Sequence, residues 1–189
     1  MASFVAVYDA CVLHPAALRD LLLNLALMRL FRARWTDRIH DEWIQSLLER
    51  RGDIDPARLA RTRARMDAAV PDALVTGYDG LIDSLVLPDP GDRHVLAAAI
   101  RCQAGVIVTY NTRDFPSEAL DPYGIDAQHP DAFVAHLIDL DAASVCAAVR
   151  NQRESLQHPP YSAGELLDTF RSLELATTVA ALEPMQGLL

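Results

Sequence analysis

The sequence predicts an α/β fold in which a parallel β-sheet is flanked by helices and followed by a helical C-terminal extension. Residues 4–8 and the segment GVIVTY are short apolar runs with the composition of buried strands. Segments with helical spacing of apolar residues separate these runs, and strands joined by helices form parallel sheets. Functional residues are therefore expected beyond the carboxyl ends of the strands.

The first strand, residues 4–8, ends at Asp9 and so places a carboxylate at the edge of the sheet. After Pro15, leucines recur at helical spacing, which predicts a Leu-rich helix over residues 16–34. Consecutive leucines in this helix cannot all face one core. We therefore expect the helix either to be buried on two sides or to contact a partner chain.

Two further helices are predicted from capping residues. Thr36 is expected to cap a helix that carries Glu42. Asp55, which is followed by a proline, is expected to cap the next helix. Residues 74–87 fit neither a helix nor a strand pattern.

The segment LPDPGDRHVLAAAIRCQAGVIVTYNTRDFP predicts a loop, a helix, a glycine stop, a buried strand and a second loop. Asp92 begins its helix, and Asp114 follows its strand. Residues 125–127 predict one more short strand. Parallel strands would bring Asp9 and Asp114 to the same edge of the sheet.

The C-terminal residues predict helices. Asp131 is expected to cap the first of them, and Ser162 with Glu165 forms a capping box for a last helix that runs towards Leu182. The chain is therefore divided into a first domain over residues 1–130 and a helical extension over residues 131–189.

Charge is distributed unevenly along the chain. The net charge of −9 would by itself repel a nucleic acid, but residues 29–65 hold ten Arg against six acidic residues. Within this stretch Arg58, Arg61 and Arg65 share one helix face. We expect them to contact phosphates, and a merely solvated face is the alternative.

The cysteines, the longest apolar stretch and the N-terminal residues disfavour several other classes of protein. Cys11, Cys102 and Cys146 are far apart and odd in number, which disfavours a disulfide framework or a thiolate zinc site. The most apolar stretch falls short of the roughly 20 residues that span a bilayer. The N-terminus also lacks a basic leader, so we expect a cytoplasmic protein without a membrane segment.

Four acidic residues are expected to converge on one cleft. Such carboxylates raise one another's pKa values, and a bound divalent cation is the usual relief. Mg²⁺ prefers oxygen ligands and is the predicted ion, with Mn²⁺ as the alternative. The four residues are Asp9, Glu42, Asp92 and Asp114.

Each acid also has a simpler structural explanation. Asp9 and Asp114 could be turn and loop residues, and Glu42 could lie on a solvated helix face. Asp92 could be only a helix cap, worth about 1 kcal/mol. Asp89, three residues before Asp92, is a further candidate for the site, but its position between prolines favours a turn.

The order of the acids resembles that of the PIN-domain family. In that family an acid ends the first strand, a Glu lies on an early helix, an Asp begins a later helix and another acid follows the next strand. This chain offers VYDACVL, HDEWI, DPGDRHVLAAAI and VTYNTRDF in that order, over roughly residues 1–130. By this resemblance the four acids would be the catalytic and metal-binding residues, and Thr109 and Asn111 would shape the last loop.

The resemblance implies a magnesium-dependent endoribonuclease that cleaves RNA phosphodiester bonds. The helical tail resembles the extension in a longer-chain branch of VapC-type toxins, which implies the toxin of a toxin–antitoxin pair. A cognate antitoxin is then an expected partner. The Leu-rich helix over residues 16–34 is expected to contribute to antitoxin binding or to a homodimer.

Rival enzymes of similar fold class fit less well. A phosphatase of the haloacid-dehalogenase type needs a second Asp two residues after the first, where this chain has Cys11. Such phosphatases, receiver domains and P-loop nucleotidases normally use a functional Lys, and all 17 basic residues here are Arg. A catalytically inactive PIN-fold interaction module and a structure-specific DNA nuclease remain as alternatives.

Overall fold

The computed structural model describes residues 4–189; residues 1–3, which belong to the predicted first domain, lie outside the described residues. The strands are β1 Val5–Tyr8, β2 Arg32–Arg34, β3 Val106–Val108 and β4 Asp126–Gln128. The helices are α1 Ala10–Leu13, α2 Ala16–Leu27, α3 Asp37–Arg50, α4 Pro56–Ala69, α5 Asp79–Ile82, α6 Arg93–Arg101, α7 Ser117–Leu120, α8 Pro130–Ser155, α9 Ala163–Ser172 and α10 Ala176–Leu182.

The four described strands form one parallel sheet in the order β2-β1-β3-β4. In the centre, Val7 of β1 pairs with Arg34 of β2 and with Ile107 of β3. All four residues of β1 are buried, as is typical of a strand covered by helices on both faces. The predicted α/β class, with a parallel sheet and a helical C-terminal region, is confirmed.

The topology opens a crevice between two neighbouring strands. The chain leaves β1 towards β2 on one side and leaves β3 towards β4 on the other. Loops that depart in opposite directions from adjacent parallel strands leave a crevice at the carboxyl edge, where such folds place their sites. Asp9 directly follows β1, and Thr109 directly follows β3.

The structure divides into two compact units. The first comprises described residues 4–14 and 31–129 and contains the sheet with α1 and α3 to α7. The second comprises Pro15–Leu30 and Pro130–Leu189 and contains α2 and α8 to α10. The second unit is thus discontinuous in sequence, while the predicted domain boundary at residue 130 stays a prediction.

The predicted helix over residues 16–34 is wrong in its C-terminal part. The helix α2 ends at Leu27, and Arg32–Arg34 form β2 instead. Arg29 has a φ of 59°, a left-handed conformation that cannot continue the helix. Only Ala33 of β2 is buried, so this strand has no apolar run by which the sequence could reveal it.

The capping predictions for the first unit are confirmed. Thr36 Oγ1 accepts the N–H of Ile39 at 3.0 Å and caps α3. Asp55 Oδ1 accepts the N–H of Ala57 at 2.9 Å and caps α4. Each bond satisfies a backbone donor that the helix itself leaves unpaired.

Of the two capping predictions for the second unit, one is confirmed and the other is wrong. Ser162 and Glu165 form the predicted capping box, but the helix that they begin, α9, ends at Ser172 and not near Leu182, because Glu174 has a left-handed φ of 61° and α10 begins separately at Ala176. Asp131 does not cap the helix in which it lies, because α8 already begins at Pro130. Its carboxylate instead accepts the N–H groups of Thr177 and Thr178, at 2.9 and 2.7 Å, and so caps α10.

Among residues 4–189, only α8 is long and apolar enough to pass a length and composition test for a membrane span. Core helices share these properties, and α8 packs on α2 and α10 within the second unit. Its backbone is non-helical at Asp141, whose carboxylate accepts the N–H of Ser144 at 3.0 Å. The predicted absence of a membrane segment stays a prediction.

A buried polar network joins α3, α4 and the residue after β2. Asp67 Oδ1 accepts hydrogen bonds from Trp35 Nε1 at 2.8 Å and His40 Nε2 at 3.1 Å. Trp43 Nε1 donates to His40 Nδ1 at 3.0 Å, which fixes the imidazole proton on Nε2. Burial lowers the pKa of His40, so the ring is neutral in this network.

Candidate functional site

Asp9 occupies the start of the crevice, and its carboxylate is held by three donors. The N–H of Ala10 donates to Oδ1 at 2.6 Å. The Thr109 hydroxyl donates to Oδ2 at 2.7 Å, and the Cys11 thiol donates to the same oxygen at 3.0 Å. Asp9 is therefore more than a turn residue, because its orientation is fixed by contacts from α1 and from the residue that follows β3.

Cys11 contacts the site, a contact that sequence analysis missed. Burial, followed by the charge of Asp9, raises the pKa of Cys11 to about 12. The thiol therefore stays protonated and can donate to Asp9, while its sulfur accepts the N–H of Tyr110 at 3.2 Å. Only the position of Cys11, two residues after Asp9, could have indicated this contact from the sequence.

Backbone hydrogen bonds shape the loop after β3. Thr109 Oγ1 accepts the N–H of Asn111 at 2.9 Å while its own hydroxyl donates to Asp9. The carbonyl of Asn111 accepts the N–H of Asp114, also at 2.9 Å, and begins a single 3₁₀ turn. The two residues predicted to shape this loop, Thr109 and Asn111, lie where they connect Asp9 to Asp114.

Glu42 lies on α3 and makes two polar contacts through a single oxygen. Arg38 Nε lies 3.2 Å from Glu42 Oε1, and His94 Nε2 lies 2.8 Å from the same atom. The side chain of Glu42 is 37% exposed. A freely solvated helix face is therefore not an adequate description of Glu42.

Asp92 begins α6 without capping it, because its carboxylate makes no capping hydrogen bond. Its pKa is raised to about 7, first by burial and then by the charges of Asp9, Asp89, Asp114 and Glu42. The cap explanation for Asp92 is wrong. The structure brings the four acids predicted from the sequence into one electrostatic cluster.

Asp89 adds a fifth negative charge to this cluster. Its Oδ1 accepts the N–H of Gly91 at 2.7 Å and caps the 3₁₀ turn Pro90–Asp92. The interpretation of Asp89 as a turn residue is confirmed by this bond. The same carboxylate contributes to the raised pKa of Asp92, so its role is not only structural.

The carboxylate oxygens of this cluster are the type of ligand that a hard divalent cation prefers. Among residues 4–189, no three Asp, Glu, His or Cys side chains already stand close enough together to hold a metal ion. Mg²⁺ commonly takes only one or two protein carboxylates and fills its remaining positions with water and phosphate oxygens. The half-buried Asp92, destabilised by four other carboxylates, is the position where a cation would relieve the most repulsion.

The raised pKa of Asp92 leads to a prediction about stability without metal. Unfolded Asp92 loses its proton near its ordinary pKa, whereas the folded protein holds it up to about pH 7, so folding becomes less favourable as pH rises through this window. We expect Asp92→Asn to raise the free energy of unfolding by about 1 to 2 kcal/mol above pH 7, after allowance for solvent screening.

Urea unfolding in EDTA at about pH 5 and about pH 8 measures this effect. The stabilisation by Asp92→Asn should be larger at the higher pH, and added Mg²⁺ should stabilise the natural chain more than the variant. An equal effect at both pH values would contradict the crowding of carboxylates around Asp92.

The three arginines predicted to bind phosphate lie on α4 with exposed side chains. Arg61 lies 3.9 Å from Asp55, at the margin of an ion pair. Arg63, between them in sequence, instead bonds Asp37 and Asp41, at 2.5 and 2.8 Å. The predicted face is thus open to solvent, and its role in binding stays a prediction for Arg58, Arg61 and Arg65.

Comparisons with known proteins identify the family of the chain. The family model described as "PIN domain" matches residues 5–113, and the model described as "VapC50 C-terminal domain" matches residues 130–184. The chain is also 38% identical over 115 residues to the protein described as "Putative ribonuclease VapC50" from Mycobacterium tuberculosis (strain ATCC 25618 / H37Rv), covering 59% of this chain and 68% of the relative. No solved structure matches. The chain therefore belongs to the PIN-domain family and carries a C-terminal domain of the VapC50 type.

Proposed function

We propose that the protein is a magnesium-dependent endoribonuclease that cleaves RNA phosphodiester bonds and serves as the toxin of a VapBC-type pair. The observation that carries the proposal is the crowding of Asp9, Glu42, Asp89 and Asp114 around the half-buried Asp92, where burial and then these charges raise the pKa of Asp92, in a chain of the PIN-domain family. Perturbed groups of this kind concentrate at functional sites. The relative described as "Putative ribonuclease VapC50" supports RNA as the substrate.

Four carboxylates are proposed to hold the ion and its water ligands: Asp9, Glu42, Asp92 and Asp114. A bound Mg²⁺, or Mn²⁺ in its place, supplies an activated water and stabilises charge on the phosphate in the transition state. Asp9 presents a carboxylate whose orientation is fixed by Thr109 and Cys11. Burial and then the neighbouring carboxylates raise the pKa of Asp92, and a bound cation would favour its charged form.

The exposed face of α4 is proposed to bind the RNA backbone through Arg58, Arg61 and Arg65. Each phosphate contact adds to the salt dependence of binding, because it releases condensed counterions. We expect the triple Arg→Gln variant to bind RNA more weakly and with a shallower salt dependence than the natural chain. Fluorescence anisotropy over a range of salt concentrations measures both quantities. If the affinity and its dependence on salt are both unchanged, these arginines form only a solvated surface and do not contact phosphates.

Incubation of the purified protein with total cellular RNA tests the proposed activity. Cleavage should occur with Mg²⁺ and stop with EDTA, and matched single-stranded and flap-containing DNA should stay intact. Cleavage of DNA but not RNA would replace the proposal with a structure-specific DNA nuclease. Absence of cleavage with either metal on any substrate would favour an inactive PIN-fold interaction module.

Partner proteins are proposed from the same family relationship. A cognate antitoxin is proposed to bind the chain, and α2 is the proposed contact, because Leu27 at its end is 48% exposed. A homodimer through α2 is the alternative use of this surface, and the cytoplasm is the proposed location. Light scattering of the purified natural chain and of Leu27→Glu, with and without the co-expressed antitoxin, separates the two uses of α2.

A further inference from the structure

His94 connects two acids of the cluster although sequence analysis assigned it no role. It lies on α6 two residues after Asp92, and its side chain is 1% exposed. Its Nε2 atom lies 2.8 Å from Oε1 of Glu42, which belongs to α3. This contact joins the helix that carries Glu42 to the helix that begins after Asp92.

We propose that His94 is a positioning residue that donates its Nε2 proton to Glu42 and so holds this carboxylate towards the metal, an inference that rests on the proposed function. Carboxylates that bind metals are themselves commonly held by hydrogen bonds. Loss of such a partner typically costs about tenfold to a hundredfold in metal affinity. Glu42 needs such a partner because it lies within a helix, where no neighbouring strand holds its side chain.

The two ring nitrogens of His94 have different surroundings. The Nδ1 atom of His94 is buried and finds no hydrogen-bond partner among residues 4–189. A second proton, on Nδ1, would place a buried N–H donor without an acceptor, which is unfavourable. Of the two ring nitrogens, Nε2 is therefore the one with an acceptor within reach, the Oε1 atom of Glu42.

Arg38 provides a matched comparison because it contacts the same oxygen. Its Nε lies 3.2 Å from Glu42 Oε1, but its side chain is 47% exposed. The arginine carries a positive charge that competes with a metal cation, whereas the role proposed for His94 is to donate a hydrogen bond to the carboxylate. Removal of the two donors should therefore change the metal affinity in opposite directions.

Mn²⁺ titration followed by the electron paramagnetic resonance of the free ion tests the inference on the full chain. We expect His94→Leu to raise the Kd for Mn²⁺ about tenfold to a hundredfold. His94→Gln, which can still present a donor near the position of Nε2, should stay within about threefold of the natural chain. Arg38→Gln should bind Mn²⁺ as tightly as the natural chain or more tightly.

A further pair of variants keeps the test decisive if His94→Leu does not fold. Gln can reach Glu42 and Asn cannot, so the Kd of His94→Asn should exceed that of His94→Gln by about tenfold. Equal Kd values for Gln and Asn, or a folded His94→Leu with natural affinity, would overturn the role of His94. Failure of the natural chain to bind Mn²⁺ and to cleave RNA would instead overturn the proposed function, and this inference with it.

Discussion

Asp9→Asn is expected to lower the rate of RNA cleavage at least about a thousandfold while the protein stays folded. Asn keeps the shape of Asp but removes a negative charge from the ligand set. Metal stabilisation of a phosphoryl transition state is worth several kcal/mol, and about 4 kcal/mol corresponds to a thousandfold in rate. Single-turnover cleavage with saturating Mg²⁺ measures the loss.

The folded state of Asp9→Asn should survive because its neighbours can adapt. The amide oxygen can still accept the N–H of Ala10, and the Thr109 hydroxyl can rotate to accept from the amide nitrogen. Circular dichroism and RNA binding should therefore match those of the natural chain. A folded variant with full magnesium-dependent activity would remove Asp9 from the site and with it the proposed mechanism.

Asp67→Ala is expected to lower the free energy of unfolding by about 2 to 4 kcal/mol, because it leaves two N–H donors without their acceptor. The donors belong to Trp35 and His40, which are fully buried. Asp67 itself is 26% exposed, so water can replace part of the lost bonding. Urea unfolding at neutral pH measures the change.

Asp67→Asn is the matched control for this network. Its amide oxygen can accept from Trp35 and His40 as the carboxylate does, so most of the stability should remain. If Asp67→Ala and Asp67→Asn unfold at the same urea concentration as the natural chain, the network does not hold α4 in the first unit. RNA cleavage per folded molecule should be similar in both variants, because neither change alters the acidic cluster.

Local signals in the sequence predicted most of the elements that form the fold. An apolar run before Asp9 predicted β1, and the capping residues Thr36 and Asp55 predicted the starts of α3 and α4. These signals are local, because each one affects only residues close to it in sequence. β2 could not be recognised, because Arg32–Arg34 gain their strand conformation only by pairing with β1. Asp131 was misassigned for a similar reason, since the helix it caps lies far away in sequence.

The candidate site was predictable to the extent that its residues follow a known order. The four acids and Asp89 could be chosen from motifs, and their charges do meet at Asp92. Cys11 and His94 could not be assigned, because a thiol and an imidazole gain their roles from neighbours across the fold. The network of Trp35, His40 and Asp67 likewise depends on three separate elements.

The central claim is that four carboxylates form one cation site at the edge of the sheet. Crystals of the protein grown with Mn²⁺ and measured at the manganese absorption edge test this claim most directly. The expected result is an anomalous peak about 2.0 to 2.3 Å from a carboxylate oxygen of Asp9 or Asp92, with Glu42 and Asp114 around its water ligands. A peak elsewhere on the protein, or none at this cluster while Mn²⁺-dependent RNA cleavage persists in solution, would contradict the claim.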